Sequence, residues 1–398
     1  MSSLKLNIVL SLLGISIASA DTSPLSAFPG GYGIEVSGYN SRERGMGEAG
    51  MASVNRQGPS FPNPSRTAWN EKTSFAATFD SDLDYLQDSQ NSNRFTSFLL
   101  PAIAMNFQTR LPMNIALDYR QLFHRNFSYT PFTSPDPSAI ASLSAEGGLY
   151  EVGGNLAYAP LSILSLSLGY HFILGHERSI ESKVFSEGDI NSQLYNGIDI
   201  EDTLSVRSSG GYPSASMTFR QKTFSLAASG SLGSTLDRTL TRSVKGLLWT
   251  RKMQENRDLP LSLAVGGAFK PLLNQTVVAD FSWEGWDQNQ NAHLNPAFHL
   301  GTGYEYQGSG GPYDRYYRKM ALRGGLGFER LYLDQTDLYF LTTGASLPLG
   351  RRGNLLDVAL KYGHRGSIED NFWTEDFIKL SLTLTGVGVW GQPVRKRR

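Results

Sequence analysis

The side chains best able to do chemistry are imidazoles, carboxylates and cationic groups, so their spacing comes first. The six histidines, His124, His171, His176, His293, His299 and His364, show no H-E-x-x-H or other metal-ligand spacing. No G-x-S-x-G elbow supplies a nucleophile, and no glycine-rich loop is built to cradle phosphate. The sequence therefore predicts no catalytic residue, no metal and no cofactor. What remains are charges that an alternating pattern places on one face: Asp118, Arg120, Glu151, Lys270, Asp280, Glu284, Glu305, Lys319, Arg323, Glu329, Asp357 and Lys361. Among them Arg120, Lys319 and Arg323 are candidates to meet the carboxylate of an amphipathic ligand, because charge-assisted bonds to Arg are strong and directional. The alternative is that both signs pair across a wet interior and brace it. Arg323→Ala separates the two readings.

The elements that position these charges are strands. From Lys72 onward apolar and polar residues alternate, the period of a strand with two unlike faces. Leu263, Val265 and Phe269 share one face against Ser262, Ala264 and Lys270. Val277, Ala279, Phe281 and Trp283 oppose Asp280, Ser282 and Glu284, and Leu360 and Tyr362 oppose Asp357 and Lys361. The segments run to about 10 residues or more, as a tilted membrane-crossing strand requires; soluble strands average about 5–6. Fourteen segments are predicted: 72–86, 94–109, 112–129, 146–159, 162–176, 202–221, 223–243, 258–270, 274–286, 297–306, 316–329, 336–349, 353–365 and 373–390. Their connections alternate between short and long, as inner turns and outer loops of a bacterial barrel do. The stretch 307–315 breaks that alternation. The predicted fold is all-β: a membrane-spanning antiparallel barrel of about 14 strands.

Composition agrees. Only 18% of residues are charged, while Gly (41), Phe (21), Tyr (18) and Trp (6) are abundant. Lys plus Arg balance Asp plus Glu at 36 each, which leaves no basic footprint for nucleic acid. Cysteine is absent, so no disulfide framework applies. Residues 1–20, with Lys5, an apolar run Ile8–Ile17 and the site Ala18-Ser19-Ala20, read as a signal peptide. The closing segment ends on Trp390, and 391–398 form a basic tail expected in the periplasm.

Residues 21–71 fit none of these segments. Their centre, "RERGMGEAGMA" at Arg42–Ala52 followed by Asn63-Pro64-Ser65, resembles the N-terminal plug of FadL-type outer-membrane transporters of long-chain fatty acids and other hydrophobic compounds. Ser65 replaces the alanine usual in that family. "NLAYAPLSILSLSLGYHF" (Asn155–Phe172) and "LPLSLAVGGAFKPLLNQTVVADFSWEGW" (Leu259–Trp286) are similar to two of its hairpins. The resemblance implies a fourteen-stranded barrel with an N-terminal hatch in the lumen. Gly45, Gly47 and Gly50 would permit close approach to the wall, and Pro59, Pro62 and Pro64 would stiffen the link to the first strand.

Pro101 lies inside a predicted strand, where it removes a ladder donor. The resemblance suggests a lateral opening there; a simple bulge is the alternative. The outer loops 130–145 and 177–201 carry Phe132, Ile140, Leu143, Val184, Phe185, Leu194 and Tyr195, which would form a capture groove or merely cover the rim. The expectation is a passive transporter of the bacterial outer membrane, contacting its lipids and taking long-chain fatty acids or other hydrophobic molecules past a movable hatch. A non-transporting PorV-like barrel that docks a secretion-system protein is the alternative.

Overall fold

Alternation along the chain becomes an antiparallel ring in the computed structural model. The structure describes residues 26, 31–53, 58–88, 92–109, 111, 113–129, 139–185, 200–245, 249–288, 294–308, 314–333, 336–350, 353–371 and 373–388. The signal-peptide segment, Trp390 and the basic tail lie outside them. In chain order the strands are β1 (Ile34–Glu35), β2 (Thr73–Asp88), β3 (Ser92–Gln108), β4 (Met113–Tyr129), β5 (Ala139–Leu161), β6 (Leu164–Phe185), β7 (Ile200–Arg220), β8 (Phe224–Ser231), β9 (Ser234–Lys245), β10 (Trp249–Leu259), β11 (Ser262–Phe269), β12 (Gln275–Glu284), β13 (Ala297–Gln307), β14 (Ala321–Arg330), β15 (Asp337–Leu349), β16 (Asn354–Ser367) and β17 (Trp373–Gly388). Fourteen of them, β2–β8 and β11–β17, form the closed barrel. Closure is by β17 on β2, from Gly388↔Thr73 to Trp373↔Asp88.

The faces follow the pleat. On β6, Leu166, Leu168, Tyr170, Phe172 and Leu174 point outward and are exposed, Leu168 by 71%. Between them Ser165, Ser167 and His171 are buried toward the lumen. An apolar outer band over a polar interior is the signature of a membrane barrel. Strands β5, β6 and β7 have 23, 22 and 21 residues, about twice the roughly 10 needed to cross the hydrocarbon layer, so they stand well beyond it on the outer side.

Several expected boundaries move. The segment 223–243 is two strands, because the chain leaves the ring at Leu232–Gly233. There β9 pairs instead with the outer part of β7, from Ser209↔Asp237 to Glu201↔Lys245, and β10 folds back along β9. Leu236 and Leu240 keep the alternating pattern through the break, which is why the sequence reads as continuous. A Cβ on Gly233 would lie 2.8 Å from the Leu259 carbonyl oxygen, so the crossover needs glycine. Likewise much of the loop 130–145 is strand: β5 begins at Ala139 and Leu143 belongs to it. Ile140, Val184 and Phe185 also fall within strands, whereas Phe132, Leu194 and Tyr195 lie outside the described residues. Residues 316–319 form a 3-10 turn rather than the start of a strand.

Candidate functional site

Residues 31–53 and 58–70 run inside the ring, held by contacts on opposite walls. One helical turn, α1 (Ser41–Arg44), carries the sequence Ser-Arg-Glu-Arg. Asn40 caps it by accepting from the backbone N–H groups of Arg42 and Glu43, while the Glu43 carboxylate accepts from Asn40 N–H. The cap fixes the direction of three charged side chains. Arg42 donates to both oxygens of Glu305 at 2.9 and 2.8 Å. Arg44 pairs with Asp80 and donates to Ser381 Oγ at 2.8 Å. Glu43 receives Arg66 at 2.9 Å. On the wall, Arg323 donates to Glu305 at 2.6 Å, to Asp357 at 3.2 Å and to Ser346. All these charges are buried. Removing one partner of such a pair typically costs about 3–5 kcal/mol.

Glycine does the rest. Gly47 (φ +73°) and Gly50 (φ +126°) have left-handed backbones. Gly47 N–H donates to Thr342 Oγ1 at 2.8 Å, and the N–H groups of Gly50 and Met51 both donate to Asp280 Oδ2, at 2.7 and 2.8 Å. Gly45 instead keeps an ordinary helical φ of −65°; a Cβ there would meet Gly344 Cα at 3.2 Å. The wall answers with its own glycines. A Cβ on Gly303 would lie 2.3 Å from Met46 O, and one on Gly325 would lie 2.2 Å from Gly47 N. Sequence reasoning missed this wall track, though "GTGYEY" and "GGLGF" show inward small residues at the period of 2.

Asn63, Pro64 and Ser65 are also in place. Asn63 Nδ2 donates to Met51 O (2.8 Å) and Thr218 Oγ1 (2.7 Å), and Pro64 opens a 3-10 turn, Pro64–Trp69. Ser65 Oγ donates to Asn63 Oδ1 at 2.6 Å. The departure from alanine therefore adds a hydrogen bond that a methyl group would not make. Further up, Lys361 Nζ donates to Glu48 Oε2 at 2.9 Å. Burial disfavours the charged form of Glu48, but Lys361, with His299 and Arg44, overrides it and holds the carboxyl at about 2.

Pro101 marks a change in the wall. Thr78 faces Ala102 and Asp80 faces Leu99, so Leu100 and Pro101 bulge against the single residue Phe79. From the same point the β3–β4 ladder stops. It runs from Gln108↔Asn114 to Ala102↔Arg120 and no further among the described residues. Above it β3 stays paired to β2 and β4 to β5, leaving two strand edges facing each other without a ladder. The free edge of β4 is taken by β1, through Ile34↔His124 and Glu35↔Phe123, and Val36 N–H donates to Leu122 O at 2.8 Å. The bulge that Pro101 announces is therefore present, and it sits where the β3–β4 ladder ends.

Two cavities flank β1. One, of about 140 Å³, is bounded by Ser97 and Leu99 of β3 and His124 of β4, directly behind the break. The other, of about 230 Å³, is lined by Phe61, Leu122, Tyr212, Leu259 and Trp286 among others. Glu35, Val36, Gly38 and Tyr39 border both. Outward of them the lumen is filled by packed rings: Tyr32 lies against Phe123, Trp286 and Tyr332, and Tyr332 donates its hydroxyl to Gly33 O at 2.6 Å.

The three cationic candidates do not converge. Arg120 pairs with Glu151 and donates to Tyr212 at 3.3 Å. Arg323 belongs to the Glu305–Asp357 network. Lys319 sits in the 3-10 turn Tyr316–Lys319 and shares a small cavity with Arg42, Glu305 and Arg323. Asp118, Glu151 and His171 do meet, with one ligand-type atom from each within 4.8 Å of the others. They come from β4, β5 and β6, so no linear spacing reveals them. Arg120 and Tyr212 already engage Glu151, Asn155 donates to Asp118 (3.1 Å), and His171 Nε2 meets Ser214 Oγ at 2.9 Å. The group is a filled polar network.

Comparison with known proteins follows the same lines. A family profile described as BamG matches residues 3–395. No curated protein matches the sequence. Among solved structures, a Pseudomonas aeruginosa FadL homologue superposes with a TM-score of 0.65 at 12% identity, covering 89% of this chain and 99% of its own. The Pseudomonas putida toluene transporter TodX gives 0.58 at 12% identity, over 88% and 98%. The Ralstonia pickettii toluene transporter TbuX gives 0.56 at 13%, over 88% and 98%. At such identity the likeness is one of fold: this is a FadL-like barrel.

Proposed function

The chain belongs to the BamG family, and from that premise we propose that it is a passive conduit for hydrophobic compounds in the bacterial outer membrane. The N-terminal segment acts as the hatch, and molecules exchange between lumen and bilayer through the break between β3 and β4. The observation that carries this reading is the ladder ending at Ala102↔Arg120 with a cavity directly behind it. An interrupted wall is unusual in a fold whose closure exists to satisfy every backbone group against lipid. The structures it resembles include two named toluene transporters, which fits the same chemistry.

The hatch divides into a fixed and a releasable part. Residues 41–53 are locked by buried ion pairs and by close backbone contact. β1 holds β4 by two residue pairs and the Val36 N–H bond beside them, with no ion pair between the two strands among the described residues. Displacing β1 would join the two cavities and expose the break without disturbing the ion-pair lock. Diffusion down a gradient needs neither cofactor nor catalysis. Long-chain fatty acids are one substrate class that the FadL resemblance suggests.

The test is to express the barrel in an outer membrane lacking other FadL-like proteins. Uptake of labelled long-chain or monoaromatic compounds is measured, and molecules that co-purify are identified by mass spectrometry. Faster uptake with a bound hydrophobic compound supports the reading. Unchanged uptake, with only a co-eluting protein partner, overturns it in favour of a docking role.

A further inference from the structure

The cavity behind the break has an unbalanced charge. Its three cations are all engaged: Lys361 with Glu48 at 2.9 Å, Lys379 with Asp82 at 3.3 Å, and Arg365 with both oxygens of Glu375 at 3.0 and 2.7 Å. Glu35, Asp84 and Glu329 line the same cavity and make no salt bridge or hydrogen bond among the described residues. Asp84 is only 5% exposed. His299, 8% exposed, has both ring nitrogens without a hydrogen-bond partner, with Glu48 4.0 Å away. A carboxylate as buried as Asp84 is costly to ionise without a partner, and a proton or a bound cation must offset it. On the far side of β1, Glu284 adds another acid, with Trp286 Nε1 donating to it at 2.7 Å. Leu331, Leu338 and Phe377 supply apolar surface to the cavity behind the break.

We infer that this cavity receives amphiphiles whose polar head is a protonated amine, with the head among Glu35, Asp84 and Glu329 and the tail directed out through the break between β3 and β4. A protonated amine donates three hydrogen bonds and neutralises the excess acid; a carboxylate head would meet like charge in a site of low dielectric. The cations that would read a carboxylate, Arg120 and Arg323, are already occupied by Glu151, Glu305 and Asp357. This inference rests on the proposed passage of hydrophobic molecules and adds the sign of the head group.

The experiment is equilibrium binding of radiolabelled dodecylamine, dodecanol and dodecanoate to the full-length barrel in nanodiscs, with empty nanodiscs subtracted. Dodecylammonium is expected to bind roughly tenfold or more tighter than dodecanoate, since like-charge juxtaposition is strongly disfavoured. The double variant Asp84→Asn, Glu329→Gln should erase that preference. Glu35→Gln, which leaves the wall strands untouched, should weaken the preference even if the double variant fails to assemble. Dodecanoate binding as tightly as the amine, or a preference that survives both variants, overturns the inference. If all three bind equally, the conduit reading stands and the charge inference alone fails. If none binds, both fail.

Discussion

Gly303→Ala is the sharpest way to separate hatch from barrel. The new Cβ would lie 2.3 Å from Met46 O and 2.5 Å from Met46 Cβ, whereas ordinary contact begins at 3.4 Å, so the segment must lift by about 1 Å. The wall cannot yield in its place, because Gly303 is paired on both sides, to Val278 and to Gly325. Lifting also stretches the 2.8 Å bond from Gly47 N–H to Thr342 Oγ1. Crowding of this kind costs about 1–3 kcal/mol, and a hydrogen bond about 1 kcal/mol. Together, roughly 2–4 kcal/mol raises the dislodged population by a factor of about 30 to 700. The assay is conductance in planar bilayers with protease accessibility of residues 31–53, while heat-modifiable migration reports on the barrel. The variant should conduct more often and be cut sooner with its barrel intact. Wild-type conductance and protection would refute the close-packing argument, as would loss of the barrel itself.

Arg323→Ala should lower the barrel's thermal midpoint, because taking one partner from Glu305 and Asp357 leaves buried acid uncompensated at a cost of about 3–5 kcal/mol, with uptake of a long-chain carboxylate falling no more than the loss of folded protein explains. Abolished binding on a heat-stable barrel would instead make Arg323 a ligand residue. The Glu48–Lys361 contact predicts acid resistance. The Glu48 carboxyl is held at about 2 against an ordinary 4.5, so its contribution, about 3 kcal/mol, is present above pH 4.5 and is lost progressively as pH falls from there through 2. Protease protection of the hatch should therefore weaken progressively between pH 4.5 and pH 2, and in Lys361→Met it should decline at higher pH. Equal acid sensitivity in the two proteins would contradict this.

The barrel was legible because its physics is local. A strand between lipid and a polar lumen must alternate, and Leu263, Val265 and Phe269 or Leu360 and Tyr362 do so along the chain. The departure of β9 from the ring was not legible, since Leu236 and Leu240 preserve the alternation while changing partners. The site was legible only in part. Gly47, Gly50, Asn63 and Ser65 announced a close-packed segment, but what they pack against, such as Gly303, Gly325 and Asp280, lies hundreds of residues away. The alternation placed Arg120 and Arg323 correctly on the inner face. Their occupation by Glu151, Glu305 and Asp357 depends on register, which the sequence does not display. Pro101 signalled a disturbance in the wall; its meeting with β1 needed the pairing of three separate segments.

The conduit rests on the break between β3 and β4, and the chain has no cysteine, so the break can be bridged at will. Leu99→Cys and His124→Cys place one thiol on each edge of the same cavity, and a reducible bifunctional maleimide can join them. The account predicts that uptake of a hydrophobic compound is lost when the bridge forms and returns when the linker is reduced. Uptake that continues unchanged across a fully bridged break would contradict it.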